Sequence, residues 1–304
     1  MILALSVSLL CAVALAGTSA DVGLRAASRA GATILIAGSL TAALAADAAL
    51  AVLVGARLLD AAPAAAVLGW GPERPGPIPI PVPISLTAAM ALGFVVVAAL
   101  SDWRRARLAA RQVQDVQNEA RDRELVVVRS ERFVAQAVPG RRAGHGRIVV
   151  SDSLLRSLEP GERAALLAHE RSHLRHHHDR YRRLIRIAGR INPLLRPAVD
   201  ATDLLLERWA DEDAARAIGS RRVAARALLR AGVANEPARF GHPSASFAAE
   251  LVSARVGRLL AAEPGRGAGP ALILSGALAL IAALAAVAGL HSLAHLFDMR
   301  RGDG

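Results

Sequence analysis

The sequence predicts a mainly α-helical chain with a small β-sheet, in which four transmembrane helices flank a polar domain inserted between spans three and four. Three observations predict it. The 304 residues are 53% hydrophobic but only 3% aromatic, so the apolar content is chiefly Ala, Leu and Val, a composition suited to packed membrane helices. Four stretches nearly free of charge, 1–20, 32–54, 84–100 and 270–290, each approach the roughly 20 apolar residues that cross a bilayer as a helix. Between the third and fourth, the pattern changes from charged helix to short β-branched runs and back to helix.

Residues 1–101 read as three spans with a Pro-rich external loop. The first stretch has no basic residue before its apolar run, whereas Arg25 and Arg29 follow it, so it is expected to be a retained anchor and not a cleaved secretory signal. Cys11 is the only cysteine, which rules out an internal disulfide. Its flank "SLLC" lacks the small residue that lipid attachment needs, so a lipid-facing thiol is expected. Asp47 interrupts the second stretch. Between spans two and three, "GPERPGPIPIPVP" cannot be helical, because proline lacks an amide hydrogen and fixes its backbone angle. It reads as a stiff extracellular link.

Residues 102–122 continue inward as a polar helical stalk. The core is expected over 123–234. "ELVVVRS", "RFVAQAV" and "RIVVS" read as two or three strands, with turn residues in "PGRRAGHG". A helix capped near Ser151 to Ser153 follows, with a break near Pro160 and Gly161 and helical periodicity onward to Gly189. Asn192 and Pro193 mark a turn, Pro197 suits the first turn of a new helix, and helix continues to Gly219. The short turn makes these two helices antiparallel. A further helix spans Arg221 to Gly232, and residues 235–269 hold a looser stretch, "NEPARFGHPSAS", and an amphipathic helix, "FAAELVSARVGRLLAA". Residues 270–304 form the fourth span and a short tail. No internal repeat is present.

The net charge of +11 is carried by arginine alone among basic residues; 31 of the 37 lie between residues 102 and 269, beside 20 of the 26 acids. Arg104, Arg105, Arg107 and Arg111 follow the third span, and Arg255, Arg258 and Arg266 precede the fourth. By the positive-inside bias this places the middle domain in the cytoplasm of a multi-pass cell-membrane protein, although Arg57, Arg74, Arg300 and Arg301 oppose the bias. With interleaved acids and few aromatic residues, no nucleic-acid partner is expected. Attraction to anionic lipid headgroups explains the basic excess.

"LLAHERSHLRHHHD", residues 166–179, carries the chemistry. His169 and His173 stand four apart, one above the other on a helix face, so two imidazoles can hold one ion. Glu170 lies about 100° around the helix from His169, placed to act as general base toward a water that Zn2+ acidifies. His177 lies an axial rise of about 12 Å from His169, too far to share the ion, and His176, His177 and His178 read as a basic surface. A catalytic zinc needs a third protein ligand. Antiparallel return brings residues 203–213 alongside, offering Asp203, Glu207, Asp211, Glu212 and Asp213, and spacing alone does not choose among them.

"RIVVSDSLLRSLEPGERAALLAHERSHLRHHH", followed by "NPLL" and "LERWADEDAA", resembles the membrane zinc metallopeptidases of the antirepressor (BlaR/MecR) type, whose sensor members respond to β-lactams. The core helices are also similar to those of the HtpX and CAAX-processing endopeptidases. The resemblance covers about residues 120–230 and implies a zincin-like metallopeptidase domain between spans three and four. It implies Glu207 as third ligand, in a Glu-x-x-x-Asp pattern, with Asp211 orienting a zinc-bound histidine. It also implies that the strands of "ELVVVRSERFVAQAVPG" line the cleft, where an edge strand pairs with an extended peptide. About a dozen residues follow the last span, so an extracellular penicillin-sensor domain is not expected.

The sequence therefore points to an integral-membrane zinc-dependent endopeptidase acting on protein or peptide substrates, in regulatory proteolysis of a repressor or a membrane-associated protein. Two other readings stand beside it. A catalytically inactive signalling or scaffold protein would retain the fold, but the intact Glu170 argues against it. A metal carrier would use the histidine run and the His291 and His295 pair, but Ser292 stands where that pair would need a carboxylate.

Overall fold

The computed structural model describes residues 2–59, 81–119, 124–140, 146–233, 245–261 and 269–301. Most of the Pro-rich link, the turn around His145 and the start of the 235–269 linker lie outside them. In the order of the chain come α1 (Ile2–Arg25), α2 (Ser28–Leu59), α3 (Val82–Glu119), β1 (Leu125–Val128), β2 (Ala135–Val138), β3 (Arg147–Ser151), α4 (Asp152–Ser157) and α5 (Pro160–Arg175). Then follow α6 (His178–Ile191), a 3-10 turn (Pro193–Leu195), α7 (Arg196–Ile218), α8 (Arg221–Val233), α9 (Ala245–Leu260) and α10 (Gly269–Arg301). The mainly helical chain with one small sheet is as the sequence predicts.

Among the described residues three helices are long and apolar enough to cross a membrane: Ser6–Arg25, Ser28–Gly55 and Val82–Ser101. In α10 the apolar stretch found among the described residues is shorter, Leu272–Ala285. Helices α1, α2 and α10 pack on one another, and α3 leans on α2. Alanine lets α1 and α2 approach closely: Cys11, Ala12 and Leu15 bury against Ala42, Ala43 and Ala45. Cys11 is only 3% exposed, which corrects the expectation of a lipid-facing thiol. The helical period puts Cys11 on the same inward stripe as Leu15 and Val22, where a small apolar thiol fits an alanine-lined seam.

The sheet has the order β1-β3-β2. Strand β1 runs parallel to β3, with Leu125 opposite Ile148, and β2 runs antiparallel, with Ala135 opposite Val150. Its covered face packs Ala135, Ile148 and Val150 against Leu154, Leu158 and Leu166. Ser151 ends β3 and starts α4 with one hydroxyl, accepting from Val134 N at 3.0 Å and from Leu154 N. Helix α5 begins at Pro160, as expected, and Glu159 with Glu162 forms a reciprocal capping box. Buried Glu162 also meets Arg230 at 2.7 Å, tying the start of α5 to α8.

One helical expectation needs correcting. Helix does not continue from Pro160 to Gly189: α5 ends at Arg175, and His177 adopts a left-handed backbone with φ 52°. That residue rotates the chain, so His177 remains exposed while His178 turns inward and is 0% exposed. The trailing histidines are thus not one basic surface.

Helices α6 and α7 are antiparallel, Ile185 packing on Ala198 and Arg182 reaching Asp203. They touch closely at Gly189, where a Cβ would lie 2.6 Å from Val199 Cγ2. The opposite face of α7 docks on the α1–α2 hairpin. Leu205 and Leu206 pack among Val22, Ala26, Ala32 and Leu35, and a Cβ on Gly31 would stand 3.1 Å from Leu205 Cδ1. Buried Arg208 donates to the carbonyls of Gly23 and Ala26, groups that the end of α1 leaves without helical partners. Arg29 returns the contact from α2, its guanidinium 5.6 Å above the Trp209 ring. Truncation at this junction is therefore costly: Leu205→Ala should lose about 2–5 kcal/mol, read as a lowered thermal unfolding midpoint in detergent, and an unchanged midpoint would contradict the docking.

Candidate metal centre

Two helices supply the site. Their antiparallel pairing sets His169 and His173 of α5 against Glu207 and Asp211 of α7. The Nε2 atoms of His169 and His173 are 3.1 Å apart. Glu207 presents Oε2 to His169 Nε2 and Oε1 to His173 Nε2, each at 3.5 Å. All three side chains are buried, and their ligand atoms lie within 4.8 Å of one another. Ligand atoms of a tetrahedral zinc site stand about 3.3 Å apart, given zinc bonds of about 2.0–2.1 Å. Glu207 Oε2 is buried, 3.5 Å from His169 Nε2 and ion-paired with a buried arginine, Arg255, at 3.0 Å. Two imidazole nitrogens aimed at each other beside such an oxygen fit one divalent cation, and the N2O donor set suits zinc.

Of the five acids that spacing left open, the structure separates two from three. Asp203 pairs with Arg182 and Arg186, Glu212 with Arg221, and Asp213 with Ser172, His176 and Arg216. Only Glu207 among them faces both Nε2 atoms, and Asp211 Oδ1 lies 3.0 Å from His169 Nδ1. Glu170 is 2% exposed.

Three partners escape the sequence reading. Arg255, from α9, forks onto Asp211 with Nε at 2.8 Å and Nη2 at 2.7 Å, and its Nη1 lies 3.0 Å from Glu207 Oε2. Burial opposes its charge, but the charges of Asp211, Glu207 and Glu170 overcome this and raise its pKa further. A signal for it exists: Arg255 stands on the apolar face that Val252, Val256 and Leu259 bury, where a charge needs a buried partner. Arg182 of α6 hydrogen-bonds Glu207 Oε1, and nothing in its arginine-rich surroundings distinguishes it. His178 places Nδ1 2.7 Å from His173 Nδ1, a contact hidden behind the left-handed turn at His177.

Electrostatics sort the protons. Burial alone would depress His169, but hydrogen bonds and charges from Asp211 and Glu207 raise its pKa to about 9. Burial holds His173 well below its ordinary value, and burial with the Arg182 charge lowers His178 to about 3. Burial pushes Glu207 and Asp211 up, yet Arg255 and the histidines bring both below the usual carboxylate range. A neutral His173 that offers its Nε2 lone pair carries its proton on Nδ1, donates to His178 Nδ1, and leaves the His178 proton on Nε2.

Residues 100–201 match the model of Peptidase family M48, about a third of the chain. The matched stretch holds His169, Glu170 and His173 and ends before Glu207, Asp211 and Arg255. No curated protein and no solved structure gave a match. The family match, the His169, His173 and Glu207 group and three membrane-capable helices together support a membrane metallopeptidase.

Two measurements probe the centre. With His169 at about 9, zinc uptake at pH 7 should release about one proton per ion, and apparent affinity should rise with pH until His169 is neutral. Calorimetry in buffers of different ionisation enthalpy reads this directly, and uptake without proton release would contradict it. His178→Phe removes the acceptor on His173 and should weaken zinc binding by about 10–100-fold, measured by chelator competition.

Proposed function

We propose that the protein is an integral-membrane zinc endopeptidase whose active site faces the cytoplasm, with α10 as the fourth crossing. The observation that carries this is the convergence of His169, His173 and Glu207 on one point, with buried Glu170 next to His169 in α5. In this reading the two Nε2 atoms and Glu207 hold the ion, Asp211 fixes the His169 ring and His178 fixes the His173 ring. Zinc, when bound, supplies Lewis-acid polarisation and lowers the pKa of water. Arg255 keeps Glu207 and Asp211 ionised and in place. Glu170 takes the proton from the attacking water and delivers it to the leaving amine.

The substrate is a polypeptide in extended form. In the three-stranded sheet, β2 borders only β3 and also packs on α5, so its outer edge offers main-chain pairing next to the helix that bears the histidines. Regulatory proteolysis of a repressor or a membrane-associated protein is the role this reading assigns, following the sequence's resemblance to the antirepressor metallopeptidases. The inactive-scaffold alternative predicts no cleavage from either the wild type or any variant.

Glu170→Gln should lower cleavage by about 10²–10⁴-fold while zinc content stays near that of the wild type. Comparison of protein fragments in cells carrying either form, with a full-length protein accumulating in the variant, would identify a target. Undiminished cleavage by Glu170→Gln would exclude the mechanism.

A further inference from the structure

The tip of the α6–α7 hairpin packs on α1 and α2 within the stretches that are long and apolar enough to cross a membrane. Helix α3 enters beside the far end of α2, where Leu50 and Leu53 line a groove with Ile84 and Ala88. Antiparallel packing then puts the first charges after the α3 span, Asp102 and Arg104, level with roughly residues 33–36 of α2, at about 1.5 Å per residue in both helices. Ile36 packs there on Ile185 and Ala198. Farther along, Ala188, Ile191 and Leu195 pack on Ala42, Ala43 and Ala45 and on Cys11, Ala12 and Leu15 of α1. Six to nine residues of α2 separate Ile36 from Ala42, Ala43 and Ala45, so the tip passes the charge boundary by about 10 Å.

The outward side of the same segment has the composition for such a place. Leu184, Ile187 and Leu194 are 43%, 42% and 44% exposed. Among exposed positions of residues 180–200, five are arginine (Arg180, Arg183, Arg186, Arg190 and Arg196) and one is acidic, Asp200. Arg183 meets Asp179 at 3.1 Å and Arg186 meets Asp203 at 3.2 Å, yet their side chains stay 69% and 47% exposed. Apolar groups interleaved with long cationic side chains suit the boundary between acyl chains and headgroups, where arginine stems lie along apolar surface and guanidinium groups reach phosphate. A protein partner would need an acidic groove to match; the bilayer that α1, α2 and α3 are built to cross is already adjacent and supplies anionic groups.

We propose that the α6–α7 tip is an in-plane membrane element that enters the leaflet nearest the metal site. Leu184, Ile187 and Leu194 lie among acyl chains, and Arg183, Arg186, Arg190 and Arg196 bind anionic phospholipid headgroups. The proposal rests on α1, α2 and α3 crossing a bilayer and on nothing about catalysis. Because α6 also carries Arg182 onto Glu207, lipid contact and metal site share one helix.

Depth-dependent quenching tests it. In full-length protein with Cys11→Ala, single cysteines Leu194→Cys, Met90→Cys and Arg222→Cys carry a fluorophore in vesicles of phosphatidylcholine and phosphatidylglycerol with brominated acyl chains. Met90 is 70% exposed on the α3 span, and Arg222 is exposed on α8. Leu194 should quench like Met90 and well above Arg222. Quenching at Met90 but no more at Leu194 than at Arg222 overturns the proposal and spares the spans; no quenching at Met90 overturns both. Phosphatidylglycerol retained over phosphatidylcholine in native mass spectrometry should fall by about fivefold per arginine removed in Arg183→Gln, Arg190→Gln and Arg196→Gln. Equal retention of the two lipids by the wild type, or an undiminished preference in the triple variant, contradicts the headgroup role. Zinc uptake by each variant, unchanged if it folds, separates these outcomes from failure of the peptidase reading.

Discussion

A guanidinium buried between two carboxylates holds this structure's chemistry in place. Ionised acids in a dry interior cost several kcal/mol each unless a counter-charge and aligned hydrogen bonds offset the lost hydration. Arg255 supplies both, forking onto Asp211 and facing Glu207. With the carboxylates kept charged, Asp211 orients His169 and Glu207 confronts both imidazoles. The pair of histidines would otherwise be two neutral rings on a helix face. Arg255 comes from α9, far along the chain from α5, so the site closes only when the segment after α8 has folded back.

Helix α7 joins this chemistry to the membrane-capable α1–α2 hairpin. One face bears Glu207 and Asp211, and the other bears Leu205, Leu206 and Arg208 against the α1–α2 hairpin. Consecutive residues thus serve opposite environments: Glu207 faces the metal site while Arg208 caps the end of α1. Side chains about 100° apart on a helix make such a division possible. Any displacement of the hairpin is transmitted to Glu207 through a rigid element and not through a loop.

Much of the fold was legible in residues whose signals are local. Proline at the first turn of α5 and α7, glycine with φ 67° after α7, serine capping α4 and β-branched runs in the strands all act within a few positions. The histidine spacing was legible for the same reason, since a regular helix fixes which residues share a face. What failed was also local in origin. A non-glycine residue in the left-handed region carries no reliable mark in sequence, so the break at His177 and the burial of His178 went unread. Cys11 was misassigned because an apolar helix shows no polar face to tell lipid from protein.

The sequence by itself determined that three apolar segments of membrane length precede a polar domain, that two histidines and a glutamate occupy one helical turn, and that acids return alongside them. Those follow from periodicity and from the short reach of proline, glycine and capping groups. Only the tertiary structure decided which acid faces the imidazoles, that Arg182, His178 and Arg255 complete the site, and how far the α6–α7 tip reaches along the spans. Each of these is a contact between segments remote in the chain, and its partner is set by how whole helices pack.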